Sequence, residues 1–160
     1  MQVEMVIKGL MVDPITSMPI VVLRDSDGQR VLPIWVGVFE ANAIALQIEN
    51  VATPRPMTHD LLRNVIADLR GTVERVAVTD LKDNTFYAVI YLRVGEELVA
   101  VDARPSDAIA LALRTKAPIF VDERVLENAK GIEAPEPGDT DRLQRWLESL
   151  DPDDLGKYKM

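Results

Sequence analysis

Glu40-Ala-Asn-Ala-Ile-Ala-Leu46 is the stretch that decides the fold, because its pattern returns 67 residues later as Asp107-Ala-Ile-Ala-Leu-Ala-Leu113. Each stretch is an acidic residue followed by an apolar, alanine-rich run. The same offset, without a gap, pairs Gly28 with Gly95. An offset that holds through turns as well as helices indicates an internally duplicated supersecondary unit.

Outward from the first stretch, the sequence predicts three strands that precede a helix. The strands are Val3–Val12, Ile20–Leu23 and Val31–Val36. Asp25-Ser-Asp-Gly28 separates the last two, and Asp-Gly supplies the positive φ that a tight hairpin turn requires. The run Glu40–Ile48 is expected to be a helix, because alanine favours helices and is depleted in strands.

The second stretch has the same surroundings. Val73–Thr79, Phe86–Leu92 and Leu98–Val101 are predicted strands, and Asp107–Arg114 is the predicted helix. Both helices are apolar almost all round, which is typical of helices buried on several sides. The predicted fold class is therefore α+β, with a β-β-β-α unit that is duplicated within the chain.

Further elements follow each copy. A second helix, Thr58–Leu69, is predicted after the first copy. A short buried strand, Pro118–Val121, and a short helix, Glu123–Ala129, are predicted after the second. The class stays α+β with these additional short helices.

Domain organisation follows from these assignments. Residues 1–132 are predicted to form one domain, with repeat one at about 3–69 and repeat two at about 70–132. Residues 133–160 carry eight acidic and four basic side chains and are predicted to be an acidic linker followed by a C-terminal amphipathic helix. That helix would present one apolar stripe, formed by Leu143, Trp146, Leu147 and Leu150.

Composition excludes several classes of protein. The net charge of −8 argues against a broad basic surface for nucleic acid, although acidic nucleases that work through carboxylates remain open. No apolar run approaches the roughly 18 residues of a membrane span, and the N-terminus lacks the features of a signal peptide. A cytoplasmic protein without a membrane partner is expected. Neither a Walker loop nor a Gly-x-Gly-x-x-Gly fingerprint is present, so no nucleotide cofactor is expected.

His59 is the single histidine of the chain and lies in Pro56-Met-Thr-His-Asp60. Thr58 is a favourable N-cap, which would place His59 and Asp60 in the exposed first turn of a helix. An exposed histidine beside an aspartate can act as a general base or help to hold a phosphate. Alternatively, Asp60 only complements the helix dipole and His59 is a surface residue.

Arg104-Pro-Ser-Asp107 is the second candidate. Ser106 is expected to cap the following helix, and Pro105 to fix its first turn. Asp107 is favourable for the helix dipole. Arg104 can pair with Asp107, or it can present a bidentate fork to a phosphate.

Glu40 requires a partner, because it precedes an almost wholly apolar helix and an unpaired buried carboxylate is costly. Duplication would place Glu40 and Asp107 symmetrically, so that two carboxylates converge on one cation. With no cysteine and one histidine, a zinc site is nearly excluded. A metal at this position would be oxygen-ligated, which indicates Mg²⁺ or Mn²⁺.

Three ordered blocks carry a resemblance to a known family. Leu32-Pro-Ile-Trp-Val-Gly37 with Glu40-Ala41, Pro54-Arg-Pro-Met-Thr-His-Asp-Leu61 and Ala103-Arg-Pro-Ser-Asp-Ala108 together resemble the bifunctional nuclease domain family. The resemblance implies an α+β fold, a nuclease that acts on DNA and RNA, and a homo-oligomer, for which a dimer is expected. The most characteristic positions of the family match six residues here: Glu40, His59, Asp60, Arg104, Ser106 and Asp107.

Three functional hypotheses follow. In the first, a metal-assisted phosphodiesterase, Glu40 and Asp107 hold Mg²⁺ or Mn²⁺, Arg104 neutralises charge, and His59 with Asp60 carries protons. The second is a non-catalytic anion-binding or regulatory module that binds a phosphate group. The donors would be the side chains of Arg55 and Arg104 and the backbone N–H groups that follow Thr58 and Ser106. In the third, a structural oligomer, Glu40 and Asp107 are ion-pair residues.

Overall fold

The chain folds as a mixed seven-stranded sheet with four helices in the computed structural model, which describes residues 1–129. Three strands and a helix come first, then a second helix, then three strands and a helix again, and finally a short strand and a short helix. The elements are β1 (Gln2–Val12), β2 (Pro19–Asp25), β3 (Val31–Trp35), α1 (Val38–Ile48), α2 (Thr58–Asp68), β4 (Gly71–Lys82), β5 (Thr85–Val94), β6 (Glu97–Ala103), α3 (Pro105–Thr115), β7 (Ile119–Asp122) and α4 (Glu123–Asn128).

The sheet has the strand order β3-β2-β1-β7-β4-β5-β6. The first three strands form an antiparallel meander, and so do β4, β5 and β6. Strand β7 lies between the two meanders, antiparallel to β1 and parallel to β4. The predicted α+β class and the repeated order of three strands and a helix are therefore confirmed, whereas a duplication as their origin stays a prediction.

The two hairpin turns explain the paired glycines of the sequence. Gly28 has φ +70° and Gly95 has φ +62°, a left-handed conformation that is costly for residues with a Cβ. The two glycines therefore close the β2–β3 and β5–β6 hairpins. The hairpins that the sequence predicts at Gly28 and at Gly95-Glu96-Glu97 are both confirmed.

Helix α3 packs in contact with both α1 and α2. Its alanines Ala108, Ala110 and Ala112 are at most 1% exposed, so the predicted burial is confirmed for this helix. The same prediction holds only in part for α1, where Ala41, Ala43 and Ile44 are buried but Ile48 is 42% exposed.

Trp35 anchors the end of β3 through a buried hydrogen bond. Its ring Nε1 donates to Asp13 Oδ2 at 2.9 Å, and the backbone N–H of Ile15 donates to Asp13 Oδ1 at 2.9 Å. Burial by itself would raise the pKa of Asp13, but these donors outweigh it and hold the pKa at about 2. Trp35 is itself part of the core, since it is 2% exposed.

Two sequence predictions, the C-terminal helix and the domain boundaries, are not tested by the described residues. The C-terminal amphipathic helix falls within residues 130–160, outside the described part of the chain, and the domain boundaries stay predictions. Among residues 1–129, every helix is too short or too polar to cross a membrane.

Candidate functional site

The candidate site lies where the first turns of three helices meet. Glu40 is the third residue of α1, His59 the second of α2 and Asp107 the third of α3, while Arg104 is the N-cap of α3. These four side chains line one cleft of about 330 Å³. The packing of α1 and α2 against α3 brings them together from three separate parts of the chain.

Arg104 joins the two carboxylates that the sequence singled out. Its Nη2 donates to Glu40 Oε1 at 2.7 Å and lies 2.9 Å from Asp107 Oδ2, and its Nε donates to the same Asp107 oxygen at 3.0 Å. The hydrogen bond to Glu40, partly opposed by burial and reinforced by Asp107, raises the pKa of Arg104. The expected convergence of Glu40 and Asp107 on one cation is present, and the cation is the guanidinium.

His59 contacts the other oxygen of the same aspartate. Its Nε2 lies 2.8 Å from Asp107 Oδ1, and its side chain is 11% exposed. Because an ionised carboxylate can only accept, Nε2 is the donor of this contact, and in a neutral ring Nδ1 is then the acceptor. The expectation that His59 is exposed is wrong, because its ring is packed into the wall of the cleft.

Asp60 turns away from the cleft, although it is the neighbour of His59. Its Oδ1 accepts from Arg114 Nε at 2.7 Å, and its Oδ2 accepts from the backbone N–H of Met57 at 3.0 Å. Burial would raise the pKa of Asp60, but the hydrogen bond from Met57 and the Arg114 guanidinium hold it below its usual range. Asp107, and not Asp60, is the carboxylate paired with His59.

Thr58 and Ser106 are not the N-caps that the sequence predicted. The N-cap of α2 is Met57 and that of α3 is Arg104, because Thr58 is already the first residue of α2 and α3 begins at Pro105, before Ser106. Thr58 lines the cleft, whereas Ser106 is 0% exposed and its Oγ has no hydrogen-bond partner among the described residues. Thr58 is thus available to a ligand in the cleft, and the Ser106 hydroxyl is not.

Arg55 lies outside the cleft. It lines a neighbouring polar depression of about 310 Å³ on the link between α1 and α2, together with Arg63 and Thr53. A phosphate in the cleft and a phosphate at Arg55 would therefore occupy separate positions.

The fit of a divalent cation can be judged from the donors. Among residues 1–129, no group of three or more His, Asp or Glu side chains is placed to hold a metal ion. Glu40 and Asp107 are the two carboxylates predicted to do so, and both already bind Arg104. As placed, these side chains do not fit Mg²⁺ or Mn²⁺, and metal binding at Glu40 and Asp107 stays a prediction that requires Arg104 to move.

Two residues that shape the site were missed by sequence reasoning. Arg114 directly follows the apolar run Ala108–Leu113 of α3 and is buried with it, and no pattern in the sequence distinguishes it from a solvated arginine at a helix end. Gly37 precedes α1, and a Cβ built there would collide with Glu40 Oε2. The absence of that Cβ lets the Glu40 side chain fold back towards Arg104.

Comparison with known proteins identifies the family. The bifunctional nuclease domain matches residues 21–134. An uncharacterized protein of Mycobacterium tuberculosis (strain ATCC 25618 / H37Rv) is 39% identical over 163 residues, which cover 95% of this chain and 97% of that protein. Bifunctional nuclease 1 of Oryza sativa subsp. japonica is 31% identical over 121 residues, 73% of this chain and 36% of the plant protein. Bifunctional nuclease 1 of Arabidopsis thaliana is 33% identical over 131 residues, 74% of this chain and 40% of the plant protein.

The match covers most of the chain but well under half the length of these plant relatives. It includes the cleft residues Glu40, His59, Arg104 and Asp107, which all lie within the matched range. The chain belongs to the bifunctional nuclease domain family.

Proposed function

We propose that the protein is a phosphodiester hydrolase that cleaves DNA and RNA without sequence specificity. The observation that carries the proposal is the Asp107-paired His59 beside Arg104 in one cleft. A histidine oriented by a carboxylate is a general base, and a guanidinium is a donor to phosphoryl oxygens. Relatives that are named bifunctional nucleases support the substrate class.

His59 would activate water for attack on phosphorus. Its Nδ1 takes a proton from the water while the water oxygen forms a bond to phosphorus. The bond between phosphorus and the leaving oxygen breaks, and that oxygen takes a proton from solvent. Asp107 accepts from Nε2 throughout, so it holds the ring orientation and stabilises the imidazolium that forms, and His59 afterwards returns its proton to solvent.

Arg104 would stabilise the charge that develops on the phosphoryl oxygens. Its Nε and Nη2 are held by Asp107 and Glu40, which fixes the plane of the guanidinium, while its side chain is 49% exposed. The remaining N–H groups can therefore donate towards a ligand without reorganisation of the arginine. Thr58, on the same cleft wall, adds a hydroxyl.

Hydrolysis of labelled single-stranded DNA and RNA by the purified full chain tests the proposal. His59→Gln should lower kcat by on the order of 100-fold or more, because a general base contributes that much. Lys8→Gln is the control, since Lys8 is an exposed residue of β1 outside the cleft. Equal rates for wild type and His59→Gln would refute the assignment.

An anion-binding or regulatory module is the second candidate. It is favoured because no group of three or more His, Asp or Glu side chains within residues 1–129 is placed to hold a catalytic metal ion, whereas Arg104 and Thr58 line the cleft as donors. Oligonucleotide binding without turnover, abolished by Arg104→Gln, would select this candidate over the hydrolase.

We further propose that two copies of the chain associate through β6. This strand is the last in the sheet and pairs only with β5 within residues 1–129. Val99 and Val101 are 37% and 38% exposed, so the strand presents both free backbone groups and apolar side chains. An antiparallel pairing centred on Ala100 places Val99 opposite the partner's Val101 and brings no two acidic side chains opposite each other.

A further inference from the structure

We infer that Arg114 is a positioning residue that fixes the three helix starts of the cleft relative to one another. It lies outside the cleft lining and its hydrogen bonds go to none of the four cleft side chains, and its own side chain is 2% exposed. The expected effect on catalysis rests on the proposed function. The effect on the geometry of the cleft does not.

Each nitrogen of the Arg114 guanidinium binds a different helix. Nε donates to Asp60 Oδ1 on α2 at 2.7 Å. Nη1 donates to the carbonyl oxygen of Ala110 on its own helix, α3, at 2.8 Å, and Nη2 donates to the carbonyl oxygen of Ala43 on α1 at 3.0 Å. One planar group thus joins α1, α2 and α3.

Each of these contacts lies within one turn of a cleft side chain. Ala43 is three residues after Glu40, and Asp60 directly follows His59. Ala110 is likewise three residues after Asp107. Residues three apart on a helix are neighbours on its surface, and adjacent residues share a peptide bond, so a shift of the backbone at any of these contacts moves the corresponding cleft residue.

The chemistry of this site requires arginine. A guanidinium presents its donors in a fixed plane, whereas an ammonium is a point charge on a flexible stem and cannot reproduce three fixed directions. Asp60 neutralises the buried charge, and its low pKa keeps it ionised across the neutral range. Asp60 therefore acts on the cleft through Arg114 and α2, although it is excluded from the cleft itself.

The single histidine makes this inference measurable without substrate. Only His59 contributes imidazole signals to a proton–nitrogen NMR spectrum. At about pH 8, where an ordinary imidazole is neutral, the wild type should show one tautomer, protonated at Nε2. Arg114→Lys and Asp60→Asn should each show mixed tautomers or broadened ring signals, because α2 is no longer held in place. Arg63→Lys is the matched control on α2, since Arg63 hydrogen-bonds only Asn64 among the described residues.

Circular dichroism and thermal melting establish which variants are folded. If Arg114→Lys does not fold, Asp60→Asn tests the inference in its place. Wild-type ring signals in a folded Arg114→Lys or Asp60→Asn protein would overturn the inference. In the hydrolysis assay, the folded variants should lose kcat by on the order of 100-fold, as expected for displaced reacting groups, with KM little changed. Altered ring signals in a chain whose wild type hydrolyses nothing would refute the proposed function and leave the positioning role standing.

Discussion

Arg104 connects to Glu40 across 64 residues of sequence through a hydrogen bond of 2.7 Å. Glu40 lies in the first turn of α1 and Arg104 is the N-cap of α3, so this bond joins the starts of the two helices. The same guanidinium reaches Asp107, whose other oxygen holds His59. One unbroken series of polar contacts therefore runs from α1 through α3 to α2.

Arg104→Lys should lower hydrolysis by on the order of 100-fold, because a lysine cannot bridge two carboxylates and still present donors to a phosphate. The measurement is kcat/KM on single-stranded DNA and on RNA. Lys8→Gln, which changes an exposed side chain outside the cleft, is the control. Activity within two- to three-fold of wild type, which is about 0.5 kcal/mol, would contradict the role given to Arg104.

Gly37→Ala should displace the Glu40 carboxylate from Arg104, because the new Cβ would clash with Glu40 Oε2. The expected result is a fall in kcat similar to that of Glu40→Gln, with a folded protein by circular dichroism. Gly9→Ala is the control, since a Cβ at Gly9 meets nothing within 4 Å. If Gly37→Ala and Gly9→Ala are equally active, Glu40 is not needed where the structure places it.

Arg104→Ala should increase the affinity for Mn²⁺, because it frees the two carboxylates of Glu40 and Asp107. Isothermal titration of wild type and variant measures this directly, and Glu40→Gln in the Arg104→Ala background is the control. Tight binding by the wild type that Glu40→Gln abolishes would instead support the metal site predicted from the sequence.

Asp13 should make stability depend on pH at the acidic end. Its pKa is about 2 in the folded chain against an ordinary 3.8, so the folded state favours the ionised form. The stabilisation of about 2 kcal/mol is fully present above about pH 4 and is lost as the pH falls towards 2. Urea unfolding of wild type and Asp13→Asn should therefore differ at pH 6 and converge near pH 2. A constant difference across that range would show that the charge of Asp13 is not involved.

Val101→Lys on β6 should abolish self-association, because it places a charge in the centre of the proposed strand pairing. Light scattering at micromolar concentration should give the mass of a dimer for the wild type and of a monomer for the variant. Lys116→Glu, far from β6 on the C-cap of α3, is the control. A monomeric wild type would remove the basis of the proposal.

The sequence predicted those features that depend on neighbouring residues. The strands, the hairpin turn at Gly28 and the pairing of Arg104 with Asp107, three residues away, all follow from local patterns. The His59–Asp107 contact spans 48 residues, and the Arg114–Asp60 contact spans 54. These depend on how α1 and α2 pack on α3, and no local pattern contains that information.

The N-caps were misassigned for a related reason. Thr58 and Ser106 are residue types that favour N-caps, but this preference is worth only about 1 kcal/mol and does not by itself fix the cap. Met57 and Arg104 occupy the capping positions instead, and the helices begin at Thr58 and Pro105. The result brings His59 and Asp107 into the cleft at the second and third helical positions.

The central place of β7 sets the order in which the protein can be completed during synthesis. The two meanders share no direct strand pairing, and Ile119–Asp122 supplies the backbone hydrogen bonds that join β1 to β4. Until this late segment leaves the ribosome, two sheet edges stay open, and open edges are sites of aggregation. The nascent chain therefore holds two unfinished halves, and its sheet closes only near the end of the described sequence.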